Sequence, residues 1–184
     1  MPRRPLTGEP LALDLVNTWW VQDGDGVDLF DDDAALAAWL AEHDLVVAPS
    51  SHRPTAYRPA LREVRTAVRG ILEGTPGGVG ALDAALAHGR LRLVLDDGRA
   101  GEIVELDDPA WGPAWAAARG YLDLLATAPA DRIRHCAGTG CVLWFLDTSR
   151  NGGRRWCSMA GCGNRAKAHA HYHRGRRTGP RPPS

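Results

Sequence analysis

The sequence predicts an α+β fold, a mostly helical N-terminal domain with one β-hairpin followed by a small C-terminal module built on cysteine. Three observations predict it. Apolar residues recur at three- and four-residue spacing in several segments separated by Pro and Gly, as amphipathic helices require. Two alternating runs, RLRLVL and EIVEL, flank Asp97-Gly98, a dipeptide that accepts the positive φ angles of a tight hairpin turn. All four cysteines lie beyond residue 135, where the charge also reverses.

Residues 1–131 hold 11 Arg and 21 acids, whereas residues 132–184 hold 11 Arg or Lys and one acid, Asp147. A body of formal charge −10 therefore precedes a tail of +10 within a neutral chain. That asymmetry points to a tail that meets nucleic acid, and it predicts attraction between the two parts. Charge and cysteine together place the boundary near Pro129, giving domains 1–128 and 129–184.

In the body, Leu11, Leu13 and Leu15 alternate, while Leu11, Leu15 and Trp19 fit helical spacing; we read residues 11–18 as helix. Asp31, Asp32 and Asp33 start the next helix, because carboxylates favour the positive end of the dipole. Leu36, Trp39 and Leu40 form its buried stripe. After a loop with Pro49 and Pro54, a longer helix opens at Pro59. It buries Leu61, Val64, Val68, Ile71 and Leu72 and leaves Arg62, Arg65 and Arg69 off that face. The GTPGGVG break ends it, and Leu82 and Leu86 mark a short helix before the hairpin. A last helix, from about residue 109 to 127, buries Trp111, Trp115, Leu122 and Leu125.

The body carries no Gly-rich phosphate loop, nucleophile elbow or HExxH motif. Asp14, His43, His52 and His88 read as a surface acid and solvated histidines, so no enzyme is expected. No apolar run reaches the roughly 20 residues that span a bilayer. The first apolar stretch is short, holds Asp14 and Asn17, and has no cleavage site after it, so the expected location is cytoplasmic.

The tail carries the chemistry. Its cysteines fall in the pattern C-x4-C-x15-C-x4-C at Cys136, Cys141, Cys157 and Cys162. Paired short loops bring two sulfurs each to one point, and Zn²⁺ favours such a tetrahedron of thiolates. Gly138, Gly140, Gly161 and Gly163 give the loops conformational freedom. Four thiolates leave no open position, so the expected cofactor is one structural Zn²⁺ per chain. Between the pairs, residues 142–146 are strand material and Asn151-Gly152 is a hairpin turn that returns through Arg154-Arg155-Trp156. This predicts a zinc-ribbon or treble-clef-like module, with Trp144 and Trp156 packed in its core and a helix after Cys162.

Cys162-Gly163-Asn164-Arg165 resembles the signature of the CGNR zinc finger, and residues 147–174 resemble that family throughout. LALDLVNT, residues 11–18, resembles the opening motif of the ABATE domain that precedes this finger. The resemblance implies a stress-induced transcription regulator with zinc on the four cysteines. It leaves His169, His171 and His173 outside the pattern; i and i+2 on a helix face apart, so they read as a solvated face.

Arg150, Arg154, Arg155, Asn164, Arg165, Lys167, Arg174, Arg176 and Arg177 are the candidate nucleic-acid contacts, because phosphate neutralisation dominates such affinity. Asn164 and Arg165, beside the last ligand, equally suit hydrogen bonds to the sulfurs and their loop. DNA is the expected partner; single-stranded RNA and a docking protein are the alternatives. The body is expected to take a small-molecule ligand or form a homodimer, though no residue identifies either.

Overall fold

The computed structural model describes residues 3–45 and 53–168. Helix α1 (Leu11–Val16) leads into a ribbon of β1 (Trp19–Gln22) and β2 (Asp25–Asp28), then helix α2 (Asp33–Glu42). Helices α3 (Arg58–Glu73) and α4 (Gly78–Leu86), the hairpin of β3 (Gly89–Asp96) and β4 (Arg99–Leu106), and helix α5 (Gly112–Thr127) complete the body. Strands β5 (Ile133–His135) and β6 (Trp144–Leu146) begin the module. Among the described residues, each sheet is an antiparallel two-stranded ribbon.

Local chemistry sets several boundaries. The Asp32 carboxylate accepts from Ala34 N at 2.8 Å and Ala35 N at 3.0 Å, capping α2. Pro59 lies in the first turn of α3, and Gly74 ends that helix in the left-handed region at φ 69°. Asp97 and Gly98 take φ 44° and 74° in the β3–β4 turn, as the Asp-Gly pair predicts.

The hub is α1. Ala12, Leu13, Leu15 and Val16 are fully buried, and the helix packs on α3, α5 and β6. Six residues cannot hold a helix alone, so packing on every side stabilises it. Complete burial also explains the double periodicity of its sequence.

In its architecture and core the structure departs from the sequence reading in five places. Leu122 and Leu125 of α5 are 45 % and 49 % exposed; the helix instead buries Ala114, Ala117, Ala118, Tyr121 and Leu124. Small alanines let α5 approach α1 closely, and this face outcompetes the larger leucines. Arg65 is buried, binding Asp28 through both carboxylate oxygens at 2.7 and 2.6 Å. The β1–β2 ribbon was not expected, although its Asp23-Gly24 turn carries the same signal as the later hairpin. Asp14 is fully buried rather than a surface acid. Trp39 Nε1 donates to it at 2.8 Å, His43 Nε2 lies 3.1 Å away, and Arg4 pairs with it.

The fifth departure concerns the module. Strand β6 pairs with β5, Ile133 opposite Leu146 and His135 opposite Trp144, rather than with residues 154–156. The turn at Asn151-Gly152 exists, Gly152 N donating to Ser149 O at 3.1 Å, but it closes a loop instead of a hairpin. Asp147, 2 % exposed, organises that loop: its Oδ1 accepts from Ser149 N and its Oδ2 from Arg154 N, at 2.9 and 3.0 Å. The Ser149 hydroxyl and these two N–H donors hold the Asp147 carboxyl below its usual range.

Body and module share one apolar core, in which Leu143, Phe145 and the buried cysteines join the residues of α1 and α3. Across the joint, Arg69 donates to Val142 O at 3.1 Å, while within the body it also donates to Val16 O at 2.8 Å. Glu9 accepts from Leu146 N at 2.8 Å. Among the described residues, Glu9 with Arg154, at 3.2 Å, is the one ion pair across it. Among the described residues, apolar burial and directed hydrogen bonds make the joint.

Candidate metal centre

The four cysteines come together from two loops. Cys136 and Cys141 lie in the loop between β5 and β6, Cys157 precedes the wide helical turn of Met159–Gly163, and Cys162 lies within that turn. Their sulfurs all lie within 4.8 Å of one another. Sγ of Cys157 is 3.8 Å from that of Cys141 and 3.7 Å from that of Cys162. A tetrahedron with metal–sulfur bonds of about 2.3 Å has edges of about 3.8 Å. The cluster therefore fits a four-coordinate thiolate ion.

Donors around the sulfurs support the charged form. Cys136 Sγ accepts from Cys157 N at 3.2 Å and Gly138 N at 3.4 Å, and Cys162 Sγ accepts from Arg165 Nη2 at 3.1 Å. Hydrogen bonding from Cys157 holds Cys141 down at about 5, and the same pairing, with burial, pushes Cys157 up. Four thiols this close cannot all ionise together unless a cation balances them.

The glycines serve different ends. Gly140 adopts φ 70°, a turn that favours glycine. Gly138 supplies space: a Cβ there would lie 2.8 Å from Cys162 Sγ, so only glycine lets the first loop reach the last ligand.

The candidate nucleic-acid contacts divide by what they touch. Arg150, Arg155, Asn164, Arg165 and Lys167 are exposed. The Arg155 guanidinium lies 5.2 Å from the Trp156 ring centroid, and Asn164 Nδ2 donates to Ala160 O at 3.4 Å. Arg154 is occupied within the fold, donating to Trp156 O, Leu146 O, Cys157 O and Glu9 and covering the Phe145 ring at 4.2 Å. The expected helix starts at residues 164–168. Its continuation, with His169, His171, His173, Arg174, Arg176 and Arg177, lies outside the described residues, as does His52.

Sequence reasoning missed the positions that join this centre to the body. Asn17 is 1 % exposed and bonds to the Trp144 backbone, while Glu9 holds Leu146 and Arg154. A polar residue closing an otherwise apolar helix was the available signal for Asn17. His88 is not simply solvated: it stacks on Trp111 at 3.7 Å and lies 3.0 Å from Asp107. Asp14, Glu42 and His43 also bring three ligand atoms within 4.8 Å, but Arg4 binds both carboxylates and supplies the positive charge there. A cavity of about 1010 Å³ lies between body and module, lined among others by Trp20, Trp39, Leu143, Cys141 and Arg165.

No curated protein matches the chain at a significant level. Two family profiles do match: the CGNR zinc finger over residues 132–175, and ABATE, described as "Putative stress-induced transcription regulator", over residues 9–128. The first covers the cysteine cluster and its basic surroundings, and the second covers the hub helix with everything packed on it. The chain thus belongs to the ABATE family and carries a CGNR zinc finger on the same core.

Proposed function

We propose that the chain is a DNA-binding transcription regulator, with a body of residues 1–128 and a nucleic-acid unit of residues 129–184. One Zn²⁺ on Cys136, Cys141, Cys157 and Cys162 ties the two short loops together. The four thiolates leave it no open position, so its work is structural and the protein is not an enzyme. The observation that supports the reading most is the position of Arg165: bonded to a ligand sulfur and still exposed, it links the metal core to the basic surface. Arg150, Arg155, Arg165 and Lys167 contact phosphates, joined by Arg174, Arg176 and Arg177. Asn164 contacts bases, and Arg154 supports the loop that carries them. The small-molecule ligand of the body occupies the cavity beside Trp20 and Trp39, from which it touches both units. The protein acts in the cytoplasm; among the described residues no helix is long and apolar enough to cross a membrane.

The test is a titration of zinc-loaded protein with duplex DNA, single-stranded RNA and heparin at several salt concentrations. Duplex should bind best, with log K falling linearly in log salt. Preference for single-stranded RNA would assign the module to RNA. No binding to any of them at low salt would assign it to a protein partner.

A further inference from the structure

The cavity between body and module reaches the metal centre. Its wall includes Cys141, Cys157 and Cys162 together with Trp20 and Trp39 of the body, whereas Cys136 does not line it. A thiolate site whose work is only structural gains nothing from such access, since buried cysteines are the inert ones.

The four sulfurs are also unequal. Cys136, Cys157 and Cys162 are 1, 4 and 3 % exposed, whereas Cys141 is only part-buried. Susceptibility to oxidation follows thiolate character and exposure, so Cys141 is the sulfur an oxidant meets first. Of the other three, Cys136 Sγ is held by the N–H groups of Cys157 and Gly138, at 3.2 and 3.4 Å, and Cys162 Sγ by Arg165 at 3.1 Å. Cys157 Sγ lies 3.8 Å from Cys141 Sγ, lines the same cavity and comes from the other loop.

We propose that Cys141 is an oxidation site, and that a peroxide entering the cavity joins it to Cys157 as a disulfide that gives up the metal ion. The proposal rests on the assignment of one thiolate-bound ion to the four cysteines. The Cys141 thiolate attacks one peroxide oxygen; an S–O bond forms, the O–O bond breaks and hydroxide leaves, giving a sulfenic acid. The Cys157 thiolate then attacks that sulfur; the S–S bond forms, the S–O bond breaks and a second hydroxide leaves. Two thiolates have lost two electrons, and with two solvent protons the peroxide has become two waters. Two remaining thiolates hold the ion far less well than four.

The chain next to Cys141 is what the body grips. Arg69 donates to Val142 O, Leu143 lies in the shared core, and Asn17 bonds the Trp144 backbone in both directions. Closing the sulfur separation to a bond of about 2.0 Å pulls on those residues, so oxidation at the centre is felt in the body.

The test treats the full-length, zinc-loaded chain with hydrogen peroxide. Zinc release, followed with a chromogenic chelator, should track disulfide formation, and a peptide map should find Cys141 joined to Cys157 first. Dithiothreitol with fresh zinc should reverse both. Cys141→His keeps a fourth ligand that zinc accepts but has no sulfur at the exposed position. Its peroxide-driven zinc release should be at least about fivefold slower than that of Cys136→His treated alike. Intact thiols after treatment, a first disulfide at any other pair, or equal rates in the two variants overturns the proposal. Elemental analysis before peroxide reads the metal assignment separately, and a chain found without zinc still reports which pair forms.

Discussion

Asn17 exchanges two hydrogen bonds with the backbone of Trp144, its Nδ2 donating to Trp144 O at 2.8 Å and its Oδ1 accepting from Trp144 N at 3.0 Å. A side-chain amide here does what a neighbouring strand would do for the free edge of β6. The last turn of the hub helix is thereby fixed to the first strand pair of the metal module.

Asn17→Ala should destabilise the protein by about 2–4 kcal/mol, because it leaves a buried N–H and C=O unpaired. Asn17→Asp should cost at least as much, since a carboxylate cannot donate to Trp144 O. Denaturant unfolding of both variants measures this. A loss below about 0.5 kcal/mol would mean the joint is carried by apolar packing alone.

Metal removal should be felt in the body. Leu143 and Phe145 lie in the same buried cluster as α1, so loosening the module uncovers α1. Treatment with a strong chelator should lower the Tm of the whole chain by at least about 5 °C, the shift expected for a loss of about 2 kcal/mol in a chain of this size. Calorimetry that shows an unchanged body transition after zinc is removed would contradict the shared core.

Gly138→Ala and Gly153→Ala should behave differently. A Cβ at residue 138 would lie 2.8 Å from Cys162 Sγ, whereas at residue 153 it would meet open space. Zinc affinity should fall by about 10–100-fold in the first and hardly change in the second. Competition with a chromogenic chelator separates them.

Neighbouring arginines should also separate. Arg154→Ala strips donors from three carbonyls and Glu9 and should cost about 2–3 kcal/mol of stability. Arg155→Ala should leave stability within about 0.5 kcal/mol and reduce the salt slope of DNA binding by about 0.9, one phosphate contact. Equal slopes for Arg155→Ala and wild type would remove Arg155 from the interface.

Acid should weaken the body through Asp28 and Asp14. Burial pushes both carboxyls up, but Arg65 at Asp28, and His43, Trp39 and Arg4 at Asp14, outweigh it and hold them below the usual range. A depressed folded value gives stability that is complete above the unfolded value of about 3.9 and is lost as pH falls through the folded one. Unfolding midpoints should therefore fall below about pH 4. Asp28→Asn, already less stable at neutrality, should show a shallower fall over that range.

The sequence by itself determined what depends on local spacing and ligand chemistry. Four cysteines at x4, x15 and x4 specify a closed thiolate site whatever surrounds them, and Asp97-Gly98 specifies a turn through its own φ angles. The capped α2 and the amphipathic α3 follow from their own residues in the same way. Only the tertiary structure decided which partner wins a shared group. Strand β6 could pair with residues 154–156 or with β5, and Asp147 settles it by drawing Ser149 and Arg154 into a loop. Leu122 and Leu125 are as apolar as any core residue, yet the alanine face of α5 fits closer to α1 and leaves them outside. Asp14, Asn17 and Arg65 are polar, and nothing local names the partners they are buried against. Their partners lie between 10 and 127 residues away, and that distance is closed only when the hub helix packs.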